Sequence, residues 1–192
     1  MPARTSFGRL ALAAIGAAAL TFASDSALAV TEVRAQIPPN QDVANEGEQA
    51  QRYFVEFRSR RGAFSGHTFL VYGRLNARGQ PLELHYAGNH PAEIDGLVTG
   101  IVLPVRTVIG PVAQDFTEPA TNIYRHRLSQ QQFAQLKRAV QQIRSTERHW
   151  HLVFYNCNDF VVEVAGRIGL QTPPSALLPH ALIDAFRALN ER

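Results

Sequence analysis

The 192-residue sequence predicts an α+β domain, an antiparallel sheet packed against helices. Three observations carry that prediction. Aromatic and β-branched residues gather in short runs over the first part of the folded region. Helical periodicity begins only after Ser129. One further strand-like run then separates two helical stretches. Strands that come first, with helices set apart from them, give an α+β architecture rather than alternating βαβ units.

Taken in order, Tyr53-Phe54-Val55-Glu56-Phe57 reads as a strand. Gly66 to Leu75 reads as a second, central strand. Asn76 to Gln80 makes a tight turn in which Gly79 takes the left-handed position, and Leu82 to Tyr86 returns antiparallel. Residues 88–122 are interrupted by eight glycines and prolines. They read as irregular chain shaping a cleft wall, with strands expected among Leu97–Val102 and Val105–Ile109. Ile123 to Leu128 is the next strand. Ser129 caps a helix from Gln130 to about Arg144, whose Phe133, Leu136, Val140 and Ile143 share one face. Trp150 to Tyr155 reads as a strand. A helix then opens at Cys157, buries Phe160, Val161, Val164 and Ile168, and stops at Gly169. A last helix spans about Pro179 to Leu189.

Residues 1–29 have the pattern of a secretory signal peptide: Arg4 and Arg9, an apolar stretch from Leu10 to Phe22, and Ala27-Leu28-Ala29 at the cleavage point. Ser24, Asp25 and Ser26 break the apolar run before it reaches a comfortable span, so no stable transmembrane segment is expected after processing. The expected location is exported, periplasmic or extracellular. Residues 30–51, with Pro38-Pro39, read as a flexible N-terminal segment, and 52–192 as a single domain. Losing Arg4, Arg9 and Asp25 with the leader takes the net charge from +3 to about +2. That mild charge, without a basic patch interleaved with aromatics, argues against a nucleic-acid partner.

Cys157 is the only cysteine. No intramolecular disulfide and no multi-cysteine zinc site is possible, and an unpaired thiol in an exported protein calls for a reason. It sits in Tyr155-Asn156-Cys157-Asn158-Asp159-Phe160, at the start of a helix. Free N–H groups and the helix dipole there favour a thiolate, and the same N–H groups suit an oxyanion. Asn156 is the expected cap. Asn158 and Asp159 can each bond the elbow backbone, Asp159 with its charge turned away from the sulfur, and Tyr155 can offer a hydroxyl.

A cysteine nucleophile needs a base and a group that orients it. His67, after Gly66, is the candidate base. The orienting group stays open. A hairpin centred near Arg78 sets position 67 opposite 89 and His85 opposite Val71, leaving His85 roughly 13 Å along the strand from His67. That register favours Asn89, while bulged residues in the turn bring His85 closer. His90, a backbone carbonyl or no third group are the remaining alternatives. His149 and His151 share a face near His126, yet no ligand spacing supports a metal site, and no cofactor is expected.

Three stretches together resemble the circularly permuted, papain-like NlpC-type thiol hydrolases, a group that includes relatives of lecithin retinol acyltransferase. Gly66-His67-Thr68-Phe69-Leu70-Val71-Tyr72-Gly73 is similar to the histidine strand. Leu84-His85-Tyr86 is similar to the strand carrying the third polar residue, and Tyr155 to Val161 to the asparagine-cysteine helix start. The histidine precedes the cysteine, as in the permuted members. The resemblance covers about residues 52–170. It implies a papain-like fold with Cys157 as nucleophile, His67 as base and His85 as orienter. It departs from the pattern in the long spacing from His67 to His85 and in Asp159. The implied activity is a cysteine hydrolase of amide bonds, of peptidase or peptidoglycan-amidase type, working through an acyl-enzyme. Acyl transfer or lipid-ester cleavage, and a non-catalytic cell-envelope binding domain that keeps the fold, are the alternatives. The substrate is accordingly a peptide, peptidoglycan or a lipid acyl group.

Overall fold

A computed structural model describes residues 52–62, 65–93 and 95–191, all within one compact unit spanning Pro38–Arg192. The expected signal peptide and the segment 30–51 lie outside the described residues. Six strands form one antiparallel sheet: β1 (Tyr53–Arg60), β2 (His67–Leu75), β3 (Pro81–Pro91), β4 (Val105–Gly110), β5 (Ala120–Leu128) and β6 (His149–Trp150), in the order β5-β1-β2-β3-β4-β6. The helices are α1 (Gly96–Thr99), α2 (Gln114–Thr117), α3 (Gln130–Ser145), α4 (Cys157–Arg167) and α5 (Pro179–Asn190). The chain is therefore α+β. Among the described residues no helix is long and apolar enough to cross a membrane.

Strand alternation decides what each face of the sheet does. Leu70 and Tyr72 of β2 point to one side with Val55 and Phe57 of β1 and Ala87 of β3. There they join Leu136, Val140, Phe160, Val164, Leu182 and Phe186 from α3, α4 and α5 in one buried core. Thr68 has the same parity and belongs to this helix side. His67 and Phe69 alternate with these residues and lie on the reverse side. Phe116 of α2 packs there at a tilt against Tyr86, with ring centroids 4.5 Å apart. Ser129 caps α3 through a reciprocal bond pair with Gln132, which fixes the helix start next to β5.

Of the two candidate pieces in 88–122 one is a strand, β4, and one strand expected further on is corrected. Leu97–Val102 is not a strand: Gly96 to Leu103 turns through α1, with Gly100 N–H bonded to Gly96 O and Leu103 N–H to Thr99 O. Trp150–Tyr155 is not one either. β6 ends at Trp150, and the chain folds back so that His151 and Tyr155 exchange backbone hydrogen bonds of 3.0 and 3.2 Å. The turn between β2 and β3 spans Asn76 to Gln80 as expected, closed by Asn76 Oδ1, which accepts from Arg78 N–H and Gln80 N–H.

Candidate functional site

The elbow that carries Cys157 is held from both sides. Asn156 caps α4: its Oδ1 accepts from Asn158 N–H at 2.8 Å, while its own N–H donates to Asp159 Oδ2 at 2.8 Å. Asp159 is thus committed to the cap. Asn156 Nδ2 donates to Leu152 O, and Asn89 Nδ2 donates to Asn156 O at 3.0 Å. Asn158 is buried. It accepts from Thr68 Oγ1 at 2.9 Å and donates to Ser175 O and Leu177 O at 2.9 and 2.7 Å. Both amide protons of Asn158 are therefore used, and this side chain supports the site instead of donating to an oxyanion.

Cys157 lies where two clefts of about 340 Å³ each meet. Gly66, Leu97, Trp150 and Cys157 line both. The arm over α4 is mostly apolar, with Leu152, Val153, Leu177, Leu178 and Pro179, and Val153 and Leu178 are exposed at it. The other arm, equally apolar over most of its surface, is the one that carries most of the ionisable side chains, with Arg60, His67, His90, Glu93 and Glu118 beside Asn89. The cysteine keeps partial exposure to this groove, but its sulfur is packed. Burial pushes the Cys157 thiol up, against the pull of the Thr68 and Asn158 donors. This corrects the expectation of a thiol lowered by the helix start. The dipole is present, and desolvation outweighs it.

His67 opens β2 directly after Gly66, whose φ of 109° no β-carbon residue adopts readily and whose Cβ would meet Arg60 O at 2.6 Å. Its ring stacks on Phe69 and lies over Gly88, where a Cβ would come within 2.9 Å of Nε2. No hydrogen bond joins His67 to Cys157 among the described residues; the two are brought into one cleft. Burial pulls the His67 pKa down to about 4, opposed by Asp115 and assisted by Arg60 and His90. The resting pair is accordingly a neutral imidazole beside a protonated thiol. Gly88→Ala is expected to push the ring outward and raise the His67 pKa toward 6.5, as read by an NMR titration.

The remaining candidates are placed elsewhere or differently. His85 faces Tyr72 in the strand register and bonds Glu83 at 2.5 Å, so it does not orient His67. Asn89 reaches the groove, yet its amide holds Asn156 O and Thr107 Oγ1 and serves the α4 cap rather than His67. The pairing of β2 with β3 ends at Phe69 and Gly88, and His90, two residues further on, still acts electrostatically on the His67 ring. Tyr155 is taken by Glu163 at 2.8 Å, within a cluster with Arg148, and burial pushes its hydroxyl well up. It offers the site no proton.

Three residues around the site carry no site role in the sequence reading: Trp150, which lines both clefts, and the buried Thr68 and Asp115 behind them. The Thr68 backbone N–H donates toward the sulfur, its hydroxyl proton being held by Asn158. Trp150 is 4% exposed and its Nε1 has no hydrogen-bond partner; the same holds for His67 Nε2 and His90 Nε2. These three unpartnered buried nitrogens all belong to the His67 cleft beside Cys157. Asp115 Oδ1 is 3.8 Å from His67 Nε2. Among the described residues, no cluster of His, Cys, Asp and Glu is arranged to hold a metal ion.

The buried histidine has a consequence for stability. Between pH 4 and 6.5 the unfolded chain binds a proton at His67 that the folded chain does not, so folding stability falls as pH drops through this window. His126, also lowered by burial, acts in the same direction. Urea unfolding of wild type and His67→Gln at several pH values is expected to show a shallower acid loss in the variant.

Comparison of the chain with protein families, with curated proteins and with solved structures finds no match.

Proposed function

We propose that the protein is a cysteine hydrolase of amide bonds, of peptidase or peptidoglycan-amidase type, with Cys157 as nucleophile and His67 as general base. The observation that carries this reading is the convergence of Cys157, at a rigidly capped helix start, with unpartnered buried nitrogens of His67, His90 and Trp150 in one groove. Buried polar groups are nearly always paired, and those left unpaired concentrate where a substrate completes them.

The protonation states define the chemistry. A neutral thiol facing a neutral imidazole reacts by general base catalysis: the proton leaves Cys157 as the sulfur attacks the carbonyl carbon. The Cys157 N–H, at the first turn of α4, lies beside the developing oxyanion. His67 then gives its proton to the leaving amine, and water releases the acyl group. Because His67 walls one arm only, the leaving group that takes its proton departs there and the acyl portion occupies the arm over α4. Catalytic hydrogen bonds are often loose before substrate arrives, so the open Cys157–His67 pair is compatible with this sequence of steps.

The papain-like, circularly permuted arrangement and export by residues 1–29 belong to the same proposal. A second reading, thiol acyl transfer or lipid-ester cleavage, is favoured by the apolar arm with exposed Val153 and Leu178. A screen of peptides, peptidoglycan fragments and lipid esters with wild type and Cys157→Ala tests both. Turnover of an amide that depends on Cys157 is expected; Cys157-dependent turnover of lipid esters alone selects the second reading, and turnover unaffected by Cys157→Ala contradicts both.

A further inference from the structure

We propose that Asp115 is the positioning residue for His67, its carboxylate holding the imidazole in the Nε2–H form so that Nδ1 is left bare for the thiol of Cys157. This rests on the hydrolase reading and supplies the orienting group that neither His85 nor Asn89 provides.

Asp115 comes from α2, 48 residues after His67, and its side chain is fully shut off from solvent. It is held firmly. Arg60 Nε donates to Oδ1 at 2.9 Å and Val112 N–H donates to Oδ2 at 3.0 Å. The Phe116 ring next to it packs at a tilt against Tyr86 of β3, which seats α2 on the reverse side of the sheet. A buried carboxylate in this position is a fixed acceptor, and His67 Nε2 faces it at 3.8 Å with no other partner.

The groups around the ring agree on where the proton sits. His90 Nδ1 is bonded to Pro91 O at 2.9 Å; a carbonyl only accepts, so that nitrogen carries the proton and His90 Nε2 is itself an acceptor. Arg60 gives its Nε to Asp115 and its Nη1 to Arg61 O and Glu118, and none of these bonds goes to His67. The charged and titratable groups that act on the imidazole are thus Asp115 from α2, Arg60 from β1 and His90 from β3. With Asp115 as the acceptor facing it, a proton on His67 Nε2 is stabilised. A short shift of the ring on substrate binding closes the 3.8 Å gap to a hydrogen bond.

Nitrogen-15 NMR of histidine-labelled full-length protein at pH 7 tests this, with His67 assigned by its loss in His67→Gln. The wild type is expected to show His67 as the Nε2–H tautomer. In Asp115→Asn the population shifts toward Nδ1–H, the His67 pKa falls below its wild-type value because the carboxylate that raises it is gone, and acetylation of Cys157 by p-nitrophenyl acetate slows by about tenfold to 10²-fold. Asp115→Glu, which restores the charge, recovers part of the rate. A wild type in the Nδ1–H form overturns the assignment, and this outcome stands even where Asp115→Asn does not fold. So does a folded Asp115→Asn with unchanged tautomer, pKa and acetylation. Failure of the hydrolase reading shows separately, as no acetylation of Cys157 in the wild type.

Discussion

Replacing His67 by alanine is expected to lower the rate of Cys157 acylation by about 10²- to 10⁴-fold, the range of a lost general base. The magnitude follows from the ground state. A thiol that burial pushes up carries little thiolate at neutral pH, so the reaction depends on a proton acceptor at the moment of attack. An enzyme with a preformed thiolate would lose less. The acid limb of the rate gives an independent reading. His67 becomes able to accept a proton above about pH 4, and the limb is expected there instead of near 6.5. Stopped-flow release of p-nitrophenol from p-nitrophenyl acetate measures both quantities. A limb near 6.5 that persists in His67→Ala would assign the base to another group.

Asn158→Ala is expected to lower the unfolding free energy by about 3 kcal/mol, measured by urea denaturation. Three hydrogen bonds disappear with the side chain, each worth about 1 kcal/mol net, and the carbonyls of Ser175 and Leu177 lose their donor. The same change frees Thr68 Oγ1 and releases the 175–177 segment that walls the apolar cleft. Acylation of Cys157 is therefore expected to slow as well, by less than in His67→Ala. Thr68→Val removes only one of the three bonds and is expected to cost about 1 kcal/mol. A loss in Asn158→Ala no larger than that would show that the side chain does not tie α4, β2 and the 175–177 segment together.

The parts of the fold that were legible in the sequence are those written in local patterns. The strand at Tyr53, the hairpin around Asn76–Gly79, the Ser129 cap and the apolar face of α3 each depend on neighbours in sequence. The same is true of the Asn156 cap and of Cys157 at the helix start. What was missed depends on chain that carries no period. Asp115 sits in the glycine- and proline-rich stretch 88–122, where α1 and α2 are only four residues each. Nothing local marks which of its carboxylates will be buried against β2. The register error had a small cause and a large effect. Leu75 still faces Pro81, but a bulge then sets Arg74 against Glu83, one residue further along β3, so His85 faces Tyr72 rather than Val71. The thiol was misjudged for a different reason: a helix start is visible in sequence, and the depth of burial that outweighs it is not.

The account stands most directly on one measurement, the burst of p-nitrophenol when the protein is mixed with p-nitrophenyl acetate, followed by peptide mapping of the acetyl group. The prediction is a burst of about one equivalent per chain, as an acyl-enzyme requires, with the acetyl group on Cys157 and no burst in Cys157→Ala. A burst that survives in Cys157→Ala, or an acetyl group spread over surface lysine and tyrosine with Cys157 unmodified, would contradict it.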